Sequence, residues 1–406
     1  MTSFFRAILD EYRRIFLDAG AVLVLVAALV LYAFFYPIPY LPEVLKHVPV
    51  VVVDLDQSEL SRKLVRMIDA HELTHVAADA RSLCEAEDIV RAGKADGVLV
   101  IPQQFERKVR RGDQAQVAAY ADASYFLVYR QVLTGALEAT GTLSAGIEIR
   151  RLQATGMPID QAMKARDPLP LTMRPLFNPT EGYGTYIVPA VLVLILQQTL
   201  LVGIGLVGGT ERERGGKHGR DARAARQDGV GRASGPSGSA LSILLGKAVA
   251  YFALYLVHSL FYFGIVYKLF GFQQRADALT LLWFVTPFLL SVIFLGLTTR
   301  VLFRSREMAL QVLLFTSLPA LFLAGFSWPV EALPRWLATC ADALPSTTGI
   351  AGFLRLTQMG AVLSDVRDEW LTLWVLCGAY FVLAWITQWW SLRAPIAWRR
   401  PLQGTD

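Results

Sequence analysis

Six stretches of apolar residues, 17–38, 184–208, 246–270, 279–299, 308–326 and 371–392, run through the chain. Each is close to the ~20 residues that a helix needs to cross a bilayer. Hydrocarbon offers the backbone no water to bond with, so runs of this kind read as helices that satisfy their own amides and carbonyls. The expected fold class is an α-helical membrane protein with six transmembrane helices. Composition points the same way, since 54% of the 406 residues are hydrophobic and only 18% are charged, more apolar side chain than one globular core uses.

The net charge of +5 would suit a nucleic-acid partner if the basic residues shared a soluble face. They lie beside the spans instead: Arg6, Arg13 and Arg14, then the 209–247 loop, then Arg300, Arg304 and Arg306, then Arg393, Arg399 and Arg400. In a six-span chain all four groups fall on one side, which the positive-inside rule makes the cytoplasm. The expected partner is the lipid bilayer, with no nucleic acid, and both termini face the cytoplasm. Residues 21–36 have no small-residue cleavage site after them, only "PIPYLPE", so they read as an uncleaved anchor. Before them, Phe5, Ile8, Leu9, Tyr12 and Phe16 share one helical face, with Arg6, Asp10, Arg13 and Arg14 opposite. Residues 1–16 are thus expected to form an interfacial amphipathic helix, although they could also simply extend the first span. Cys84, Cys340 and Cys377 have no metal or redox spacing, and the first two would share the outer side.

Between the first and second spans, 39–183 is not membrane-like and alternates short strands with helices. "VPVVVVDLD" is a buried strand followed by a helix starting at Ser58, Ser82 with Glu85 makes a capping box, and "DGVLVIP" is the next strand. Pro102 is expected to open a helix closed by Gly112, "AQVAAYAD" returns as a strand, and a long helix covers about 124–154. This alternation argues for an inserted extracytoplasmic α/β domain. Inside it, His71, Glu72 and His75 match the zinc-peptidase pattern, with Glu85 or Glu87 available as a third ligand. The pattern needs both imidazoles on one helical turn, and these residues fall where a helix should end and a strand begin. A metal site is not expected here, nor at Asp54 and Asp56, which read as the end of a strand.

After the fifth span, Gly325, Pro329, Pro334 and Pro345 break any helix repeatedly, and Trp328 and Trp336 suit a headgroup interface. Residues 327–370 are expected to form short interfacial or re-entrant helices on the outer side, tolerable at membrane depth only against protein or a water-lined path. Gly325-Phe326-Ser327, Pro329, Leu333-Pro334, Leu344-Pro345-Ser346-Thr347 and Leu354-Arg355 resemble the closing signature of ABC-2 type exporter permeases. "VVDLDQSELSRKLVRMIDA", "ADGVLVIPQQFERKVRRGD" and "LFNPTEGYGTYIVPAVLVLILQQTLL" resemble the outer domain and second span of the subgroup with a large domain between its first two spans. The resemblance implies a membrane subunit in the bacterial inner membrane that pairs with a second copy or a related permease over cytoplasmic ABC ATPases. It also implies an outer gate around Gly325, Phe326, Pro329, Pro334, Pro345 and Arg355. A periplasmic adaptor and outer-membrane channel often accompany the subgroup. No G-x-x-x-x-G-K-[ST] occurs in the chain, so it is expected to bind no cofactor and to leave ATP to the partner ATPase.

Coupling to such a partner would pass through the 209–245 cytoplasmic loop, where the resemblance marks Glu211, Arg212, Glu213, Arg214 and Gly215 as the ATPase-coupling cluster. The family's amphipathic helix is not obvious in the Gly/Arg-rich stretch up to 239, which reads as solvated linker. Three readings stand: an electrostatic contact, a flexible loop with the contact made elsewhere, or an inactive transporter. Polar residues inside spans are costly and mark candidates for the translocation path or subunit interface: Gln197, Gln198, His258 and Gln311. The 393–406 segment is a cytoplasmic tail. Two other readings are a membrane-anchored zinc peptidase and a non-transporting anchor for the outer domain.

Overall fold

The computed structural model describes residues 2–227 and 239–393, with side chains described for 3–213 and 239–391. The chain divides into two compact units, Val44–Arg174 and a helical unit made of Met1–Glu43 with Pro175–Asp406. Helix α1 (Thr2–Leu17) opens the helical unit and does not run on into the first span. Asp18 interrupts it in an extended conformation and accepts from the N–H groups of Gly20 and Ala21, the orphan donors at the start of the next helix. That helix, α2 (Ala19–Tyr40), contains a π-helical stretch at Leu23–Ala27.

Val44–Arg174 contains strands β1 (Val48–Asp54), β2 (Thr74–Asp79), β3 (Gly97–Ile101) and β4 (Ala118–Ala121). Their spatial order is β2-β1-β3-β4, with β1 parallel to both β2 and β3 and β4 antiparallel to β3. Helices α3 (Glu59–Asp69), α4 (Leu83–Arg91), α5 (Phe105–Arg111), α6 (Phe126–Ala154) and α7 (Ile159–Arg166) connect or follow the strands. One face of the sheet packs Val50, Val52 and Leu99 against Leu64, Ile68, Val132 and Ala136. The other packs Val51, Val53 and Val98 against Ala86. The central strand is therefore apolar on both faces, the pattern of a parallel strand covered by helices on each side. Ser58 and Ser82 cap α3 and α4. Pro102, expected to open α5, does not: the helix begins at Phe105, because Asp56 accepts from the N–H of Glu106 and Gln104 turns the chain with φ 62°.

The insert is narrower than 39–183. Its neck belongs to the helical unit, where Glu43 accepts from both the N–H and Oγ1 of Thr185 at 2.9 Å and its carbonyl accepts from the N–H of Tyr183. A Cβ on Gly182 would strike the Glu43 carboxylate, so glycine there admits the clasp. Beyond it run α8 (Tyr183–Gln227), α9 (Ala240–Phe270), α10 (Ala278–Thr299), α11 (Arg306–Leu323), α12 (Arg335–Asp342), α13 (Pro345–Thr357) and α14 (Arg367–Arg393). Among the described residues six helices are long and apolar enough to cross a membrane: α2, Tyr183–Glu213 of α8, α9, α10, α11 and Arg367–Ser391 of α14.

Two boundaries depart from expectation. The second span does not give way to a loop at 209: α8 stays helical to Gln227, which places Arg214, Gly215 and "KHGRDARAARQ" on helix rather than linker. The alanines and arginines there are strong helix formers and outweigh the glycines. The rest of that stretch, 228–238, and the tail 394–406 lie outside the described residues. The fifth span ends at Leu323, short of 326, because Gly325 takes φ +84° and turns the chain.

Core position separates the spans. Helix α8 is buried nearly all round its apolar length and is the axis of the unit, whereas α11 and α14 leave most of their apolar surface exposed. Gly205 and Gly209 of α8 face α11, with Leu313 and Ala309 against the first and the Arg306 backbone against the second, close enough that side chains would collide. Gly246 of α9 gives the same close approach to α1 at Phe4, Ala7 and Ile8.

Candidate functional site

The densest chemistry in the helical unit lies where α1, α8, α9 and the end of α10 meet. Glu11, fully buried on α1, accepts from Tyr251 Oη of α9 at 2.9 Å and from Arg14 at 3.2 Å. Its carboxylate is 3.6 Å from Lys247 Nζ and 3.7 Å from Arg300 Nη1. Glu211 of α8 enters the same cluster, with Lys247 Nζ at 3.2 and 3.3 Å and ion pairs to Arg14 and Arg300. Two carboxylates thus share three cations, and Lys247 and Arg300 are nearly as enclosed as Glu11. Charges taken this far from water persist only when paired. The cluster therefore locks four segments that are remote in sequence.

A second layer adjoins it. Arg306, the first residue of α11, pairs with Asp18 at 3.1 Å, and Thr210 of α8 donates to the same carboxylate. Glu213 Oε1 accepts from the N–H of Arg306 at 2.8 Å, next to Ser305, whose Oγ caps α11 through Met308. Arg212 donates to the carbonyl of Phe303 at 3.1 Å. Of the residues expected to couple to an ATPase, Glu211 is thus turned into the protein, Glu213 holds the start of α11, and Arg212 reaches back to the 300–306 turn. Arg214 and Gly215 continue the helix, with their side chains outside the described residues.

Glu11, Lys247, Tyr251 and Arg300 were not expected as a unit. A signal for Glu11 exists: it interrupts the stripe Phe4, Ile8, Ile15 at helical spacing. The apolar face expected of α1 is split, with Ile8 partly covered beside α9 and Phe5, Leu9 and Phe16 left exposed.

At the opposite end, α13 descends between the spans. Its first turn places Ser346 against Gln197 midway along the α8 span, where Gln197 Nε2 donates to Ser346 Oγ at 2.9 Å. Thr347 Oγ1 donates to the carbonyl of Leu323. Its far end returns to the start of α8, where Gln358 donates to the carbonyl of Thr185 at 2.6 Å. Gly349 and Gly352 press on the rings of Phe288 and Phe284, the former midway along α10. A helix covering this depth is re-entrant relative to α8 and α10. Pro345 sits in its first turn, where the missing N–H costs nothing, and is buried. Pro329 precedes a 3-10 turn at Val330–Ala332, and Pro334 caps α12. Phe326 is buried, and its carbonyl accepts from Tyr186 Oη. Arg355 pairs with Glu369 and donates to the carbonyl of Asp365, tying α13 to α14.

The remaining candidates disperse. Gln198 is partly buried, and His258 is buried on α9 with Nδ1 at 2.8 Å from the carbonyl of Leu254. Gln311 is exposed on the outer surface of α11. His71 lies in the turn after α3, 3.0 Å from Glu138, whereas His75 is on β2, 3.0 Å from Asp69. The two imidazoles do not share a helical turn, and Glu72 pairs with Lys46, whose hydrogen bond and charge hold its carboxyl below the usual range. Among the described residues no group of three metal-ligating side chains is assembled. Asp54 accepts from the N–H groups of Asp56 and Gln57 and from Ser61 Oγ, the turn chemistry of a strand end. The three cysteines are free thiols.

The family model described as "ABC-2 family transporter protein" matches residues 20–386, nearly all of this architecture. The chain belongs to the ABC-2 transporter family. This ABC-2 permease is 23% identical over 364 residues to the linearmycin resistance permease protein LnrN of Bacillus subtilis (strain 168), covering 84% of this chain and 86% of that one. It is also 23% identical over 259 residues to the probable multidrug ABC transporter permease YbhS of Escherichia coli (strain K12), covering 63% of each. It is a multi-pass protein of a bacterial membrane and a membrane subunit of a transporter.

Proposed function

We propose that this permease is the membrane subunit of an ATP-driven exporter, working as a dimer and driven by a separate cytoplasmic ABC ATPase that docks below the Glu11–Glu211 cluster. The observation that carries the reading is that cluster. It joins α1, the end of α8, the start of α9 and the end of α10, so a push on the projecting part of α8 reaches four elements at once. The basic groups beside the spans favour a cytoplasmic position for this end, and with it an outer position for the α/β unit at 44–174. Helix α13 and the Gly325 turn form the outer gate of the substrate path. Drug-like or antibiotic molecules are the substrate class nearest to the relatives' names.

The test is purification of the tagged full chain from mild-detergent membranes, with mass spectrometry of the proteins that come with it. Wild type should retain a Walker-motif ATPase, and deletion of 212–239 should lose it while the chain still inserts. Retention of the ATPase by the deletion would refute the proposed docking site, and absence of any ATPase from both would refute the exporter reading.

A further inference from the structure

A groove of about 300 Å³ opens between α9 and α10 at the end of the bundle away from the ionic cluster. Its walls are apolar, chiefly Leu256, Leu260, Phe263, Leu281, Leu282 and Val285. Along α9 it runs from Leu256 to Lys268, about 18 Å at the helical rise. Such a volume over that length makes it a narrow slot, open along one side. Two features widen it. Phe261–Val266 is π-helical, a local expansion found mostly where a helix carries a function. Gly264 lies within that stretch, and a Cβ there would meet nothing.

Apart from Ser259, whose hydroxyl donates to the carbonyl of Tyr255, the polar lining lies at one end. Lys268 lines the mouth, is exposed, and makes no ion pair among the described residues. Beside it Gln274 also lines the slot, and its Oε1 is shielded from solvent without any donor. The groove thus joins an exposed cation at its mouth to an apolar wall along its length.

We propose that this groove binds one acyl chain of an anionic glycerophospholipid of the bilayer, its phosphate on Lys268. Phosphatidylglycerol brings a net negative charge to Lys268, whereas the charge of phosphatidylcholine is compensated. The inference needs only the membrane-spanning helices, so it stands or falls apart from the ATPase reading.

The full chain in mild detergent, stripped of lipid, is titrated with dioleoyl phosphatidylglycerol or dioleoyl phosphatidylcholine and bound lipid is counted by native mass spectrometry. Wild type should bind one phosphatidylglycerol about tenfold more tightly than phosphatidylcholine, a preference erased in Lys268→Gln and kept in Lys268→Arg. Gly264→Leu fills open space, so it should fold normally and lose both lipids. Equal binding of the two lipids by wild type would overturn the proposal. So would phosphatidylglycerol binding unchanged in Gly264→Leu, or a Gly264→Cys variant that crosslinks to a second copy.

Discussion

At the basic end of the helical unit, Glu11 and Glu211 share Arg14, Lys247 and Arg300, whereas midway along α8 the contact with α13 is a neutral hydrogen bond from Gln197 to Ser346 backed by glycines against phenylalanines. The difference follows from depth. At the ends of the spans, charges from several helices are enclosed together with their partners, and such a group holds as long as the pairing is complete. In the hydrocarbon interior an unpaired charge is far more costly, and neutral bonds with close packing are the workable glue. The charged end therefore holds four segments by mutual pairing, and the Gln197–Ser346 contact keeps α13 in register by packing.

The largest expected effect breaks the charged end. Glu11→Ala leaves three cations for one carboxylate and should destabilise the helical unit by about 3–5 kcal/mol, the range for removing one partner of a buried ion pair. Thermal unfolding in detergent measures it, and Glu11→Gln, which keeps a bond to Tyr251, should recover part of the loss. If Glu11→Ala melts with wild type, the cluster is not the lock described. Next, Gly349→Leu drives a side chain into Phe288 and should cost about 1–3 kcal/mol as overpacking. Its expected signature is loss of the α8–α13 register, read by loss of a crosslink between Gln197→Cys and Ser346→Cys in an otherwise wild-type comparison.

A smaller effect marks the contrast with the α/β unit, where the carboxylates meet water. Burial alone would raise the Asp56 carboxyl, but hydrogen bonds from Ser58 and from the N–H groups of Glu106, Phe105 and Gln104 outweigh it and hold the group below the usual range. With the folded pKa lowered, its contribution is present at neutral pH and falls away as pH drops through that lowered value. Asp56→Ala should cost about 1 kcal/mol, as for loss of an N-cap, and should flatten the acid limb of the unit's stability profile. Smallest is Gln197→Leu, which removes a bond to Ser346 but also an unpartnered Oε1. It should shift stability by less than about 1 kcal/mol, and a larger loss would mean that the neutral contact carries more of the register than the glycines do.

Much of the fold was legible because its signals are local. Apolar length marks Val188–Val207 as part of a span whatever else surrounds it, Ser58 and Ser82 announce their helices, and Gly325 announces a turn. The candidate site was legible only in part. Glu211 and Glu213 stand out as charges after a span, but a charge run looks the same whether it meets water, a partner or other charges of its own chain. Glu11 and Lys247 were missed because each is a lone charge in an apolar stripe, and the partners lie far along the chain, 240 residues for Glu11 with Tyr251 and 36 for Lys247 with Glu211. The continuation of α8 past 209 was missed for another reason. Its glycines argue for a loop one by one, while the alanines and arginines between them favour helix together.

By itself the sequence determined that this chain carries membrane-spanning helices and that a strand-helix insert interrupts them. These depend on bilayer thickness, side-chain periodicity and capping, each read within about 20 residues. Only the tertiary structure decided that α8 is the axis, that α13 sinks to the level of Gln197, and that five charges from α1, α8, α9 and the end of α10 close on one another. Those facts depend on which surfaces meet, and a pairing of distant residues leaves no mark in the local pattern of either one.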